Sequence, residues 1–218
     1  MNEKYQLLKN ETIKLLGKTL FRIQALVDIG IEVRAGDKGG YIEKEENLST
    51  YDNAWVFGDA QVYGNARVYG NAQVFGDAQV YGNARVYGNA QVYGNARVFG
   101  DARVFGDAQV YGDAQVYGNA WVYGNAWVYG NARVFGAYSM LTVSNIGSVQ
   151  RTTTFFVCAD LKIRVSCGCF FGDLAAFRAK VRETHKGTKH AQAYLAAADF
   201  AESVLVIPEK KKLKESGA

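Results

Sequence analysis

Histidine is nearly absent from this chain: there are two in 218 residues, and residues 1–184 contain none. Proton transfer near neutral pH usually relies on an imidazole, and most of the chain has no group of that pKa to offer. A zinc site with three histidine ligands is excluded as well, because only His185 and His190 exist. Proline is represented once against 24 glycines, a balance that argues against a disordered linker and suits a β-rich solenoid. Cys158, Cys167 and Cys169 are an odd set without a disulfide framework, which fits a reducing compartment. The opening MNEKYQLLKN lacks the apolar run of a signal peptide, and no stretch of the sequence approaches a membrane-spanning apolar segment. The expectation is a cytoplasmic protein that does not enter a membrane. No glycine-rich phosphate loop opens a helix, and no cofactor is expected.

Net charge is +4 and unevenly placed, with residues 1–50 balanced, the central region near neutral and the positive excess after residue 137. A general nucleic-acid binder is more basic than this. The run Lys210, Lys211, Lys212 and Lys214 has no interleaved aromatics and reads as a solvated tail over 209–218.

What the chain does have is a period of six. Valine recurs at every sixth position from Val56 to Val134, fourteen times, inside a unit Asn/Asp, Ala, Arg/Gln/Trp, Val, Tyr/Phe, Gly. Neither a helix nor a flat strand repeats at six, whereas a coil of three six-residue sides does, so the block predicts a parallel β-solenoid of about 18 residues per turn. In the unit from Asn65 to Gly70, alternation sets Ala66 and Val68 on one face and Arg67 and Tyr69 on the other. Alanine and valine are expected inside. Gly70 and Asn71 form the corner, where positive φ is tolerated. Four to five coils at roughly 4.8 Å each give a regular part about 22 Å long.

The repeat resembles the hexapeptide-repeat family of left-handed parallel β-helices, whose motif sets an aliphatic residue inward and a small residue two places earlier. Val and Ala meet that motif in all fourteen units, although many members carry Gly directly after the aliphatic residue, where this chain has Tyr or Phe. The left-handed sense is what the resemblance implies, since most parallel crossovers are right-handed. The flanks KGGYIEKEENLS (Lys38–Ser49) and RTTTFF…IRVSCGCFFGDL (Arg151–Leu174) look like those of hexapeptide-repeat proteins of phages and prophages. Many hexapeptide-repeat proteins are acyltransferases with a histidine base beside the coil, and this coil has no histidine to match.

The expected fold class is mainly β: a left-handed parallel β-helix of about five coils over 39–137, an N-terminal β cap over 1–38 and a small C-terminal α+β domain over 138–208. Short strands are predicted at Tyr5–Leu8, Thr12–Leu16 and Leu20–Leu26, with a turn at Gly17–Lys18. They cover the first coil, whose backbone edge would otherwise template aggregation. Ile42 and Leu48 stand six apart, so the solenoid begins irregularly near Gly39–Gly40, with a two-residue offset before Val56. After the repeat, Arg151–Cys158 and Ile163–Cys169 predict a hairpin around Ala159–Lys162, followed by helices near Asp173–Thr184 and Thr188–Val206, the last capped by Thr188. Ile163, Val165, Cys167 and Cys169 share one strand face, which Phe177, Val181, Tyr194, Leu195 and Leu205 cover.

Sorting outward residues by 18 gives three faces. One carries Trp55, Gln73, Gln91, Gln109 and Trp127; another Gln61, Gln79, Arg97, Gln115 and Arg133. The third carries Arg67, Arg85, Arg103 and Trp121 beside Tyr69, Tyr87, Phe105 and Tyr123, and is the candidate partner-binding surface. Outward rings serve as stabilising ladders, as a homodimer or trimer contact, or as a site for a foreign partner. Stacked arginines repel unless compensated, by Asp101, Asp107 and Asp113 at nearby corners or by a partner. A metal site from Cys167, Cys169, His185 and His190 is weighed against two core cysteines and a helix end at His185, and the structural reading is preferred.

Taken with the phage resemblance, the expected function is a non-catalytic binding protein that occludes a host protein or nucleoprotein complex, with a CRISPR nuclease or other defence complex as the leading partner. The alternatives are an acyltransferase-like enzyme and a virion or scaffold protein. Contact with a nucleic-acid backbone is open, and no residue is assigned to catalysis or to a metal.

Overall fold

The computed structural model describes residues 2–136, 139–158, 160–205 and 207. The expected solenoid end at 137, Ala159 in the predicted turn, Val206 at the predicted helix end and the lysine-rich tail all lie outside these residues.

The chain opens with strand β1 (Tyr5–Leu15), which turns at Leu16 and Gly17 into antiparallel β2 (Lys18–Ala25). The sequence predicted two strands where β1 is one. Its register shifts between Leu8 and Thr12, so the polar Lys9, Asn10 and Glu11 are accommodated as a bulge within a continuous strand. Strand β2 pairs antiparallel with β3 (Lys38–Ile42), and β3 enters the solenoid by pairing in parallel with the strand at Gln61–Val62. The predicted irregular start is present: Ile42 lies beside Val62 and Leu48 beside Val68, a spacing of 20 that gives way to 18 from Trp55 onward.

Fourteen two-residue strands follow, β4 (Trp55–Val56) to β17 (Arg133–Val134), one on the Xaa-Val pair of each unit. They stack in parallel as three sheets, like on like. The inward alanines and valines of every unit are buried and form one continuous core. Each side is joined to the next coil through the backbone, as where Arg67 N donates to Ala84 O at 2.9 Å and Asn71 N donates to Gly88 O at 2.7 Å. At the corners, Asn65 donates its side-chain amide to Asn83 at 3.2 Å and Asn71 to Asn89 at 3.0 Å. Aromatic rings stack down the sides with centroids 4.7 Å apart for Phe75 on Tyr93 and 5.0 Å for Tyr63 on Tyr81. Burial in these stacks raises the phenols of Tyr63 and Tyr111, each to about 12.

The first coil is closed by the N-terminal region. Tyr5, Ile23, Ile29 and Val33 belong to the solenoid core. Trp55, assigned to an outward face, is 1% exposed beneath Tyr5, whose ring meets it edge-on at 6.2 Å. The repeat pattern assigns the side of the coil correctly but carries no information about what covers it. The buried Lys4 ammonium donates to Ser49 O and Ala54 O and pairs with Asp52 at 3.5 Å, and the Tyr5 hydroxyl donates to Glu45 O and Leu48 O, so the irregular coil is pinned from above.

At the other end four antiparallel strands, β18 (Met140–Ile146), β19 (Arg151–Val157), β20 (Ile163–Cys167) and β21 (Phe170–Asp173), precede helices α1 (Leu174–His185) and α2 (Lys189–Val204). The β19–β20 hairpin and both helices match the sequence reading, and Thr188 caps α2 by accepting from Ala191 N. Strands β18 and β21 were not anticipated. Cys169, expected on the strand face, lies exposed in the turn between β20 and β21, because β20 ends at Cys167. One face of the sheet packs Phe155 and Val165 under the helices, while Phe156 and Cys158 from the other join the solenoid core. Tyr129 in the last coil meets Phe171 at 4.4 Å. Among the described residues no helix is long and apolar enough to cross a membrane.

Two outcomes follow from the coil geometry. At Gly88, φ is 71° and an added Cβ would lie 2.9 Å from Gly106 N, whereas at Gly124, φ is 63° and nothing lies within 4 Å. Both Gly88→Ala and Gly124→Ala incur about 1–3 kcal/mol for left-handed backbone, and denaturant unfolding should show the larger loss for Gly88→Ala. Equal losses would mean the coils are not so closely stacked. The raised phenols stabilise the folded state fully below the ordinary tyrosine value of about 10, and that contribution is lost as pH climbs through about 12. Thermal melting should therefore fall across that alkaline window, alongside late tyrosinate absorbance. Phenols that all ionise at the ordinary value in the folded chain would contradict the stacks.

Candidate arginine and aromatic interface

The third face is carried by β6 (Arg67–Val68), β9 (Arg85–Val86), β12 (Arg103–Val104) and β15 (Trp121–Val122). Because each valine faces inward, the residue before it must face outward. Register then places Arg67 beside Arg85, Arg85 beside Arg103, and Arg103 beside Trp121. Arg67 and Arg85 are exposed, Arg103 is half-buried, and its guanidinium sits 5.0 Å over the Trp121 ring. The neighbouring column is continuous: Tyr69 stacks on Tyr87 at 4.8 Å, Tyr87 on Phe105 at 4.9 Å, and Phe105 on Tyr123 at 5.5 Å. At the far end Trp121 is 50% and Tyr123 46% exposed. All eight candidate residues thus lie on one surface.

The expected compensation by corner aspartates is not what the structure holds. Asp101, Asp107 and Asp113 accept from the side-chain amides of Asn83, Asn89 and Asn95 at 2.9, 2.9 and 3.0 Å. The reason is register: an aspartate at a corner lies directly over the asparagine one coil earlier, while the arginines stand midway along the side. Among the described residues none of Arg67, Arg85 and Arg103 has a carboxylate within 4.0 Å. Burial raises the Tyr69 phenol, and the charges of Arg85, Arg103 and Arg67 oppose that rise.

A recess of about 540 Å³ opens where this face begins, and the sequence reading missed it. The segment after β3 makes a one-turn 3-10 helix (Glu45–Asn47) and then passes over the face, so Glu45, Glu46 and the 98% exposed Tyr51 line the recess with Arg67, Tyr69 and Arg85. The Glu45–Glu46 pair was the available signal, but only the folded path of 43–54 brings it here. The surface offers guanidinium, phenol, indole and carboxylate groups.

The weighed metal ligands remain apart from this face. Cys167 Sγ accepts from Thr153 Oγ1 at 3.2 Å, Cys169 is in its turn, and the His185 and His190 rings lie 6.3 Å apart with His185 against Tyr194. Among the described residues no three His, Cys, Asp or Glu side chains gather as a metal-holding group.

No curated protein matches the chain. A family model described as the YdcK beta solenoid repeat matches residues 60–76, 78–94, 90–106, 96–112, 108–124 and 114–130. Every match falls within the stacked coils, and the chain is similar to that family as a repeat β-solenoid protein.

Proposed function

We propose that this protein is a non-catalytic binding rod that docks its arginine and aromatic face onto an acidic macromolecular surface and blocks that surface. The observation that carries the reading is the in-register arginine column, without a carboxylate partner among the described residues and ending in exposed Trp121, set beside a ring stack that ends in exposed Tyr123. Guanidiniums at strand spacing repel by about 1 kcal/mol per neighbouring pair even in water. A partner carboxylate placed between them relieves this repulsion, and the rings add the contact area typical of hot spots. Glu45 and Glu46 share the recess with Arg67 and Arg85. Mixed signs of this kind favour a protein surface over a bare phosphate backbone. The resemblance of the flanks to phage and prophage proteins makes a bacterial host complex the partner class, with a defence nuclease the first to test.

The test is affinity capture from infected or lysogenic cells, with light scattering on the free chain to count copies. Combined Arg67→Glu, Arg85→Glu and Arg103→Glu should abolish the captured partner, and added salt should weaken capture by the parent chain. The control Gln73→Glu, Gln91→Glu and Gln109→Glu, on another face, should leave capture intact. Capture that survives the arginine reversals would remove this face from the function.

A further inference from the structure

A second recess, of about 610 Å³, lies between the last coil and the terminal sheet, within the range of small-molecule sites at roughly 300–1,000 Å³. Strand alternation decides its chemistry. Phe156 points into the solenoid core and Phe155 into the helix-covered core, so Thr152 and Thr154, in step with Phe156, face the solenoid. Thr154 pairs across the sheet with Thr142 on one side and Ser166 on the other. Ser144 Oγ lies 3.0 Å from Thr152 Oγ1. The sheet face that seals the coil with Phe156 therefore changes to hydroxyls a short way out, where a simple seal would have stayed apolar.

Opposite these hydroxyls stands Trp127, 41% exposed, with its backbone N–H donated to Thr154 Oγ1 at 3.4 Å. The rim supplies amides from Asn125, Asn145 and Gln150 and one cation, Arg151. Asn145 and Gln150 hold positive φ, 61° and 49°. Among the described residues no carboxylate lines the cleft and no helix begins in it.

We propose that this cleft binds a neutral saccharide. A pyranose ring has a C–H face and a hydroxyl perimeter. The exposed indole of Trp127 supplies the apolar platform for the first. Hydroxyl and amide groups, which both donate and accept, match the second. A nucleotide fits less well, because phosphate calls for several cations or a helix N-terminus and among the described residues the cleft has Arg151 alone.

The experiment is saturation-transfer NMR on the full chain with glucose, galactose, N-acetylglucosamine, cellobiose and lactose, and with adenosine and thymidine as comparators. Transfer to the ring protons of at least one sugar is expected, larger for a disaccharide if the natural ligand is a glycan chain and equal for its monosaccharide if it is a free sugar. Trp127→Ala and, separately, Thr152→Val should reduce that transfer to the sugar-free background, while Phe200→Ala, on the exposed side of α2 and outside the cleft, should leave it unchanged. Melting curves identify variants that fold; should Trp127→Ala not fold, Thr152→Val decides. The proposal is overturned if no sugar receives transfer, if only the nucleosides do, or if transfer survives the folded cleft variant.

Discussion

Each side chain of the solenoid rests on its counterpart one coil away, and nearly everything else in the molecule depends on that stacking. Valine on valine fills the interior, asparagine on asparagine ties the corners, and ring on ring covers the sides. The backbone bonds between coils require the close approach that the corner glycines permit. The cost of such order is that charges stack too. Arg67, Arg85 and Arg103 are brought together by the register that makes the core, and their mutual repulsion is a by-product of the fold that a binding partner can exploit.

The two ends solve the same problem by different means. At the first coil, β1 to β3 extend one sheet outward, and the buried Lys4 and Tyr5 tie down the irregular loop by bonds to backbone carbonyls. At the last coil, a separate sheet crosses the opening, with Phe156 and Cys158 completing the core and Phe171 covering Tyr129. Both ends also create the recesses: each forms where irregular chain passes over a regular face.

The regular part was legible because period six has few physical explanations and because Ala and Val at fixed places leave little choice of inside. The two-residue offset was legible from Ile42 and Leu48 for the same reason. What the repeat does not encode was not. Burial of Trp55 depends on Tyr5, fifty residues earlier in the chain. The pairing of Asp101, Asp107 and Asp113 with asparagines follows from exact vertical alignment, which the sequence order obscures because Arg103 and Asp101 are near neighbours in the chain and not in the stack. Strands β18 and β21 lack a strong alternating pattern, and so the hydroxyl-lined cleft they help to build had no signature beforehand. On the candidate face the eight residues were found by spacing alone, whereas Glu45, Glu46 and Tyr51 arrived through a loop path that spacing does not describe.

The three-sided winding bears on how such a chain tolerates gain or loss of repeat units. Gain or loss of three units restores the same alignment and only lengthens or shortens the shaft. Gain or loss of a single unit keeps the stacking of valine, alanine and corner residues, yet it shifts the outward columns past one another and swings the terminal sheet by about a third of a turn relative to the opening hairpin. Selection on the angular relation between the two ends would therefore tolerate changes in multiples of three units and reject the rest.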